Sequence, residues 1–147
     1  MNIGKYEEEW ESLKKNCEHN SLDHGNSSGS VRKIIKSHFG DTRQHKKYGV
    51  YLIRQQTTRE VLYIGKSGTI DQHGNFKGQD IPARLKNVKG DVSSVLWFKS
   101  LVKEKGVLVI EYVVLTPTPQ SPAFVEAHLI QAYLNEHSCL PSRNKEF

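Results

Sequence analysis

The apolar positions of the chain change their period twice. Between residues 3 and 18, Ile3, Tyr6, Trp10, Leu13 and Cys17 recur at three- and four-residue intervals, the spacing of a stripe along an amphipathic helix. From Tyr48 the signal becomes that of strands. "YGVYLIRQ" and "EVLYIG" are rich in β-branched and aromatic residues and flank a polar interval, which predicts an antiparallel hairpin. "VLVIEYVVL" reads as a buried strand, broken by "TPTPQSP".

Helix signals fill the remaining space. "SVRKIIKSHF" predicts a short helix with Ser30 as its cap. "PARLKNVKG" opens on a proline suited to a first helical turn and stops near Gly90. "DVSSVLWFKSLVKEKG" predicts a helix capped by Asp91 and ended at Gly106, and "SPAFVEAHLIQAYLNEH" one capped by Ser121 with Pro122 at its first position. "HNSLDHGNSSGS" reads as a loop, and "KSGTIDQHGNFKGQDIP" as an irregular excursion. The expected class is α/β, more narrowly α+β, a small sheet covered by helices. Residues 1–46 form a helical N-terminal extension and residues 47–147 the main domain.

Bulk properties narrow the function classes. A chain of 147 residues suits one domain. No apolar run is long enough to cross a bilayer, and the start has neither the basic end nor the apolar centre of a secretion signal; the expectation is no membrane and a cytoplasmic location. Cys17 and Cys139 are far apart and form no CxxC pair, which fits free thiols. The net charge of +5 tilts modestly toward a polyanionic partner.

Several side chains bear on chemistry, each with a plainer reading beside it. Glu126 falls within the apolar arc of the last helix, where an unpartnered carboxylate costs about 2–7 kcal/mol; a structural ion pair, or a glutamate in a wet crevice at the helix start, is the plainer account. Arg84 has the usual reading of a solvated helical charge, and Lys66 that of a surface lysine. On alternating strands Tyr51 shares a face with Gly49 and Ile53, and Tyr63 one with Gly65 and Val61; strand tyrosines ordinarily serve packing. Cys17, His19 and His24 match no zinc spacing, and "GKS" lacks the glycine-rich lead of a phosphate loop.

Taken together, Gly49-Val50-Tyr51, eleven residues, Tyr63-Ile64-Gly65-Lys66, an arginine on a helix, a glutamate opening the last helix and "LPSRN" near the end resemble the GIY-YIG nuclease superfamily over residues 48–147. The resemblance implies a three-stranded antiparallel sheet flanked by helices and metal-dependent hydrolysis of DNA phosphodiester bonds, with one Mg²⁺ or Mn²⁺ per site. It implies that Tyr51 and Tyr63 face the attacking water and the phosphate, Arg84 the phosphate oxygens, Glu126 the metal and Asn144 a supporting contact. Lys66 matches a lysine that follows the second motif in some members, and Gly65 would leave room for the substrate backbone. Candidate DNA contacts are Lys46, Lys47, Lys77, Lys86 and Arg143. Either phenol, given nearby positive charge, or Lys66 would serve as the base. Cutting two strands is compatible with a homodimer. Eighteen residues separate Gly65 from Arg84, so residues 67–82 read as an insertion, and a histidine often found a turn after the arginine is missing. A catalytically inactive nucleic-acid-binding module of the same fold is the alternative. A third reading, an interaction protein, rests on the Tyr6, Trp10 and Leu13 stripe as a docking face.

Overall fold

The computed structural model of the chain describes residues 5–25, 29–87 and 93–147. Its elements are α1 (Lys5–Asn16), β1 (His19–His24), α2 (Val31–Phe39), β2 (Gly49–Gln55), β3 (Val61–Lys66), β4 (Thr69–Ile70), β5 (Phe76–Lys77), α3 (Ile81–Leu85), α4 (Ser94–Lys105), β6 (Leu108–Val114) and α5 (Pro122–His137). The α+β expectation is met, with a correction: the main sheet has four antiparallel strands in the order β1-β6-β2-β3, where three were implied.

The additional strand comes from the segment read as a loop. Its composition, His-Asn-Ser-Leu-Asp-His, has little strand propensity. It pairs nevertheless along the whole of β6, from His19 opposite Val113 to His24 opposite Leu108. Without it β6 would present an open row of amides and carbonyls. Leu22 and His24 turn inward while Asp23 between them faces solvent, so the strand also covers part of the core. A second correction lies in the excursion after β3, where β4 and β5 pair as a short hairpin, Thr69 opposite Lys77 and Ile70 opposite Phe76.

Helices cover both faces of the sheet. On one, Tyr51, Ile53, Ile110 and Tyr112 pack with Ile35 of α2, Ile81 and Leu85 of α3, and Phe98 and Leu101 of α4. On the other, Val50, Leu52, Ile64 and Val113 pack with Tyr6 and Trp10 of α1 and with Val125, Leu129 and Tyr133 of α5. The α1 stripe is therefore spent on the sheet, which removes the support for a docking face there; Ile3 lies outside the described residues. Val61 also departs from expectation. The β2–β3 ladder pairs Ile53 with Tyr63 but Arg54 with Val61, and this bulge turns Val61 to the α1/α5 side, away from Tyr63.

Caps follow local chemistry. Ser30 accepts from Lys33 N at 3.4 Å and Ser121 from Phe124 N at 3.2 Å, both as expected. The cap of α4 is Ser93, which accepts from Leu96 N at 3.2 Å; Asp91 and Gly90 lie outside the described residues. Gly106 ends α4 with φ 81°, a value that glycine adopts without strain.

A buried charge network ties α1 to the sheet. Arg54 is 1% exposed and Glu111 5%, on adjacent strands. Arg54 Nη2 donates to Glu7 of α1 at 3.0 Å, and its Nε lies 3.5 Å from Glu111. Trp10 Nε1 donates to the same carboxylate at 2.6 Å, and Arg59 pairs with its other oxygen. Burial would raise the Glu111 carboxyl, but Arg54, the Trp10 indole, Arg59 and Lys14 outweigh it and hold the group below its ordinary 4.5. Breaking a buried pair from one side costs about 3–5 kcal/mol, so Glu111→Gln is expected to lower stability by that order in urea unfolding at pH 7. A carboxyl depressed on folding contributes above the unfolded value and loses that contribution as pH falls through the folded one. The gap between wild type and Glu111→Gln should therefore narrow on acidification below about pH 4.5, and a gap unchanged at pH 3 would show that the charge network is not its source.

Candidate active site

The site begins with the pairing of β2 and β3. Tyr51 lies opposite Gly65 and Ile53 opposite Tyr63, so both phenols stand on the face toward α2–α4. Their ring centroids are 6.1 Å apart, with planes at 30°. A Cβ on Gly65 would fall 2.6 Å from Cζ and Oη of Tyr51 and 2.7 Å from Cε1 of Tyr63. The room left by Gly65 is thus filled by the Tyr51 ring, which corrects the expectation that it admits the backbone of a substrate. Gly49 has a different cause: a Cβ there would fall 1.9 Å from Val113 O on β6.

Two further elements, α3 and α5, and the end of β3 bring charge to these rings. Arg84 sits on the one-and-a-half-turn helix α3, whose start is fixed by Asp80, 3% exposed. The Asp80 carboxylate accepts from Ala83 N at 3.4 Å, Thr42 Oγ1 at 2.7 Å and Lys47 N at 3.2 Å, and Ile81 N donates to Lys47 O at 2.7 Å. Ile81 and Leu85 are fully buried and anchor the helix, while Arg84 is half-buried and lines the cleft. Glu126 stands at the start of the second turn of α5, between the buried Val125 and Leu129. Lys66 ends β3, its Nζ 3.4 Å from Gly68 O.

Tyr63, Lys66, Arg84 and Glu126 line one cleft of 310 Å³, closed on its remaining side by Gly68, Thr69, Gly78 and Gln79 at the base of the β4–β5 hairpin. A larger hollow of 680 Å³ between α1 and α5 contains none of these groups. Tyr51 lies beneath the cleft rather than in its wall. It is fully buried, and among the described residues its hydroxyl meets no hydrogen-bond partner in good geometry, although Arg84 and Tyr63 are near enough to act on its titration.

Charge and burial oppose each other throughout. The Tyr51 phenol is pushed far up by burial and by Tyr63, against the Arg84 guanidinium. Tyr63 is raised by burial, again against Arg84. Glu126 is raised by burial and opposed by Lys66 and Arg84. In the free protein both phenols are therefore neutral near pH 7, and the nearby cations do not make a phenolate of either. Among the described residues Glu126 makes no hydrogen bond or close ion pair, so the structural ion pair of its plainer reading is not found, whereas the other plain account, a half-exposed glutamate in a crevice near the helix start, matches its position. Glu126 offers one oxygen ligand to a hard divalent ion that keeps most of its waters, and Lys66 and Arg84 oppose the ion's charge until an anionic substrate joins it. Among the described residues no three His, Cys, Asp or Glu side chains gather around a common point.

The remaining sequence candidates are not among the residues that line the cleft. Asn144 takes no part in its wall. It bonds both ways to the outer edge of β3, accepting from Ile64 N at 2.9 Å and donating to Ile64 O at 3.0 Å, while Arg143 N donates to Leu62 O at 2.8 Å. Lys46 and Lys77 are exposed and Lys86 is half-buried after α3. Lys47 pairs with Glu18 at 2.8 Å, and Arg143 with Glu104. Asp80 escaped the sequence reading, although an aspartate two residues before a proline that opens a helix carries the signature of a cap.

Comparison of the chain with protein-family models, curated protein sequences and solved structures finds no match in any of the three. Among the described residues no helix is long and apolar enough to cross a membrane.

An unpartnered buried hydroxyl costs about 1–3 kcal/mol. Tyr51→Phe is accordingly expected to leave thermal stability unchanged or raise it, whereas Gly65→Ala, which drives a methyl into both rings, should lower it by about 1–3 kcal/mol. Calorimetry of the two variants tests this pair, and a Tyr51→Phe protein clearly less stable than wild type would show that the hydroxyl is bonded.

Proposed function

We propose that the protein is an endonuclease that hydrolyses DNA phosphodiester bonds with the help of a divalent cation, on a GIY-YIG-like framework. The observation that carries this reading is the convergence of Tyr63, Lys66, Arg84 and Glu126, from two strand or helix ends and a short helix, on one small cleft. The order and spacing of the Gly49–Tyr51 and Tyr63–Lys66 motifs support it from the sequence side.

Attack of water on a phosphodiester builds negative charge on the phosphoryl oxygens and on the leaving oxygen, so cations already in place there lower the barrier. Arg84 is held by a capped and buried helix, and its planar guanidinium suits two oxygens of one phosphate. Lys66 supplies a second, more compact charge. Tyr63, the phenol in the cleft wall, is neutral and orients the attacking water by hydrogen bonding. Tyr51 acts from below, as the surface that fixes Tyr63. Glu126 would hold Mg²⁺ or Mn²⁺, which when bound supplies further charge at the phosphate and the leaving oxygen. With one carboxylate the ion is expected to bind weakly until the substrate phosphate joins it.

Supercoiled plasmid incubated with the purified chain and Mg²⁺ or Mn²⁺ should be nicked or linearised. Arg84→Ala and Glu126→Ala should each slow the reaction by about 10²-fold or more. Equal cleavage by wild type and both variants would remove the assigned site, and DNA binding without cleavage under either metal would favour the inactive binding module.

The pH dependence has a defined sign. Glu126 must be ionised to hold a cation, and its pKa is raised above 4.5 in the free protein. At sub-saturating Mg²⁺ the rate should fall with decreasing pH along a limb centred above 4.5, and that limb should move to lower pH as Mg²⁺ is increased. A limb insensitive to metal concentration would assign the titration to another group.

A further inference from the structure

The β4–β5 hairpin is the one wall of the cleft that contributes no charge to it. Its base is fastened to the body of the protein. The Tyr48 ring stacks on Phe76 with centroids 4.4 Å apart and planes at 20°, and the Tyr48 hydroxyl donates to Gly78 O at 3.1 Å. Its tip is shaped from within by Asp71. One carboxylate oxygen accepts from His73 N at 2.9 Å and Asn75 N at 3.1 Å, Asp71 N donates to Asn75 O at 2.9 Å, and Gly74, with φ 82°, closes the turn. The side chains of Gln72, His73 and Asn75 are left exposed, with Gln72 and His73 meeting only each other, at 3.3 Å. A two-stranded hairpin is marginal by itself. This one is held in shape by residues other than those it displays.

We propose that the tip of the β4–β5 hairpin reads base edges in the major groove of B-form DNA beside the phosphate seated in the cleft, with Gln72 and Asn75 as the side chains that specify sequence. The inference rests on the nuclease reading for the position of that phosphate. Dimensions favour it: from Thr69 on the rim to Gln72 at the tip is three residues, roughly 10 Å at about 3.4 Å per residue, and the major groove is about 8.5 Å deep and 12 Å wide, enough to admit a two-stranded ribbon. Glutamine and asparagine amides match the donor and acceptor pair that adenine presents there. Lys77 on β5 gives the same element an exposed cation, the kind of side chain that contacts flanking phosphates. The deep, narrow major groove of A-form RNA would exclude the ribbon.

The test is selection of bound sites from a randomised duplex library by the full-length chain in EDTA, followed by sequencing, beside a Gln72→Ala/Asn75→Ala variant whose fold is checked by circular dichroism. Wild type should enrich a short motif containing adenine. The variant should keep its affinity for random duplex within about threefold while losing roughly tenfold or more of the preference at one or two base pairs. Duplex RNA of the same length should fail to displace the selected DNA. Absence of any motif in the wild-type pool, an identical motif for the variant, a uniform loss of affinity across all sequences or displacement by duplex RNA would each overturn the proposal. Because the selection needs no cleavage, its failure is distinguishable from failure of the plasmid assay, which bears on the nuclease reading alone.

Discussion

The Tyr51 ring lies across Gly65, and it can do so because the residue opposite has no side chain. That contact sets where the second phenol stands and how close β3 comes to the groups arriving from α3 and α5. It depends in turn on register. A slip of one residue between β2 and β3 would send every side chain of the strand to the other face, taking Tyr63 into the layer occupied by α1 and α5. The bulge beside Ile53 fixes the pairing on one side of Tyr63, and Asn144 clamps the Ile64 amide and carbonyl on the strand's outer edge. Asn144 therefore bears on the cleft through the backbone of β3, without entering it.

The cleft is assembled at a structural compromise between burial and charge. A phenol, a carboxylate and two cations are gathered where water is scarce, so burial raises Tyr51, Tyr63 and Glu126 while Arg84 and Lys66 pull the other way. Burial prevails in all three. A bound cation or phosphate would add its own charge to that balance. The cleft differs in this from the Arg54–Glu111 network on the opposite face, where more deeply buried charges pair with one another and the carboxyl is held down.

Much of this architecture was legible in the order of residues. The β2–β3 hairpin, β6 and the amphipathic stripe of α1 followed from period, and Ser30 and Ser121 from cap chemistry. The segments that escaped are those whose structure is imposed from elsewhere. β1 forms because β6 offers an open edge, not because His-Asn-Ser-Leu-Asp-His favours extension. β4 and β5 are two residues each and rely on Tyr48 for support. Val61 was placed on the wrong face because alternation assumes an unbroken ladder, and a bulge leaves no signature in composition. At the site, Tyr63, Lys66, Arg84 and Glu126 were singled out and do share a cleft, whereas the burial of Tyr51 and the hold of Asp80 on α3 depend on packing that spacing alone does not encode.

The same strand links the two faces of the sheet. Tyr51 and Arg54 are three residues apart on β2, one turned toward the cleft side and the other toward α1. A central strand with both faces buried has no freedom to shift on one side without disturbing the other, since interiors are packed at crystal-like density. Glu7 and Trp10 of α1, which meet Arg54 and Glu111, therefore help to hold the backbone from which Tyr51 projects. On this view the N-terminal segment, which adds both a helix on one face and the β1 strand on one edge, is part of what keeps the phenols in register.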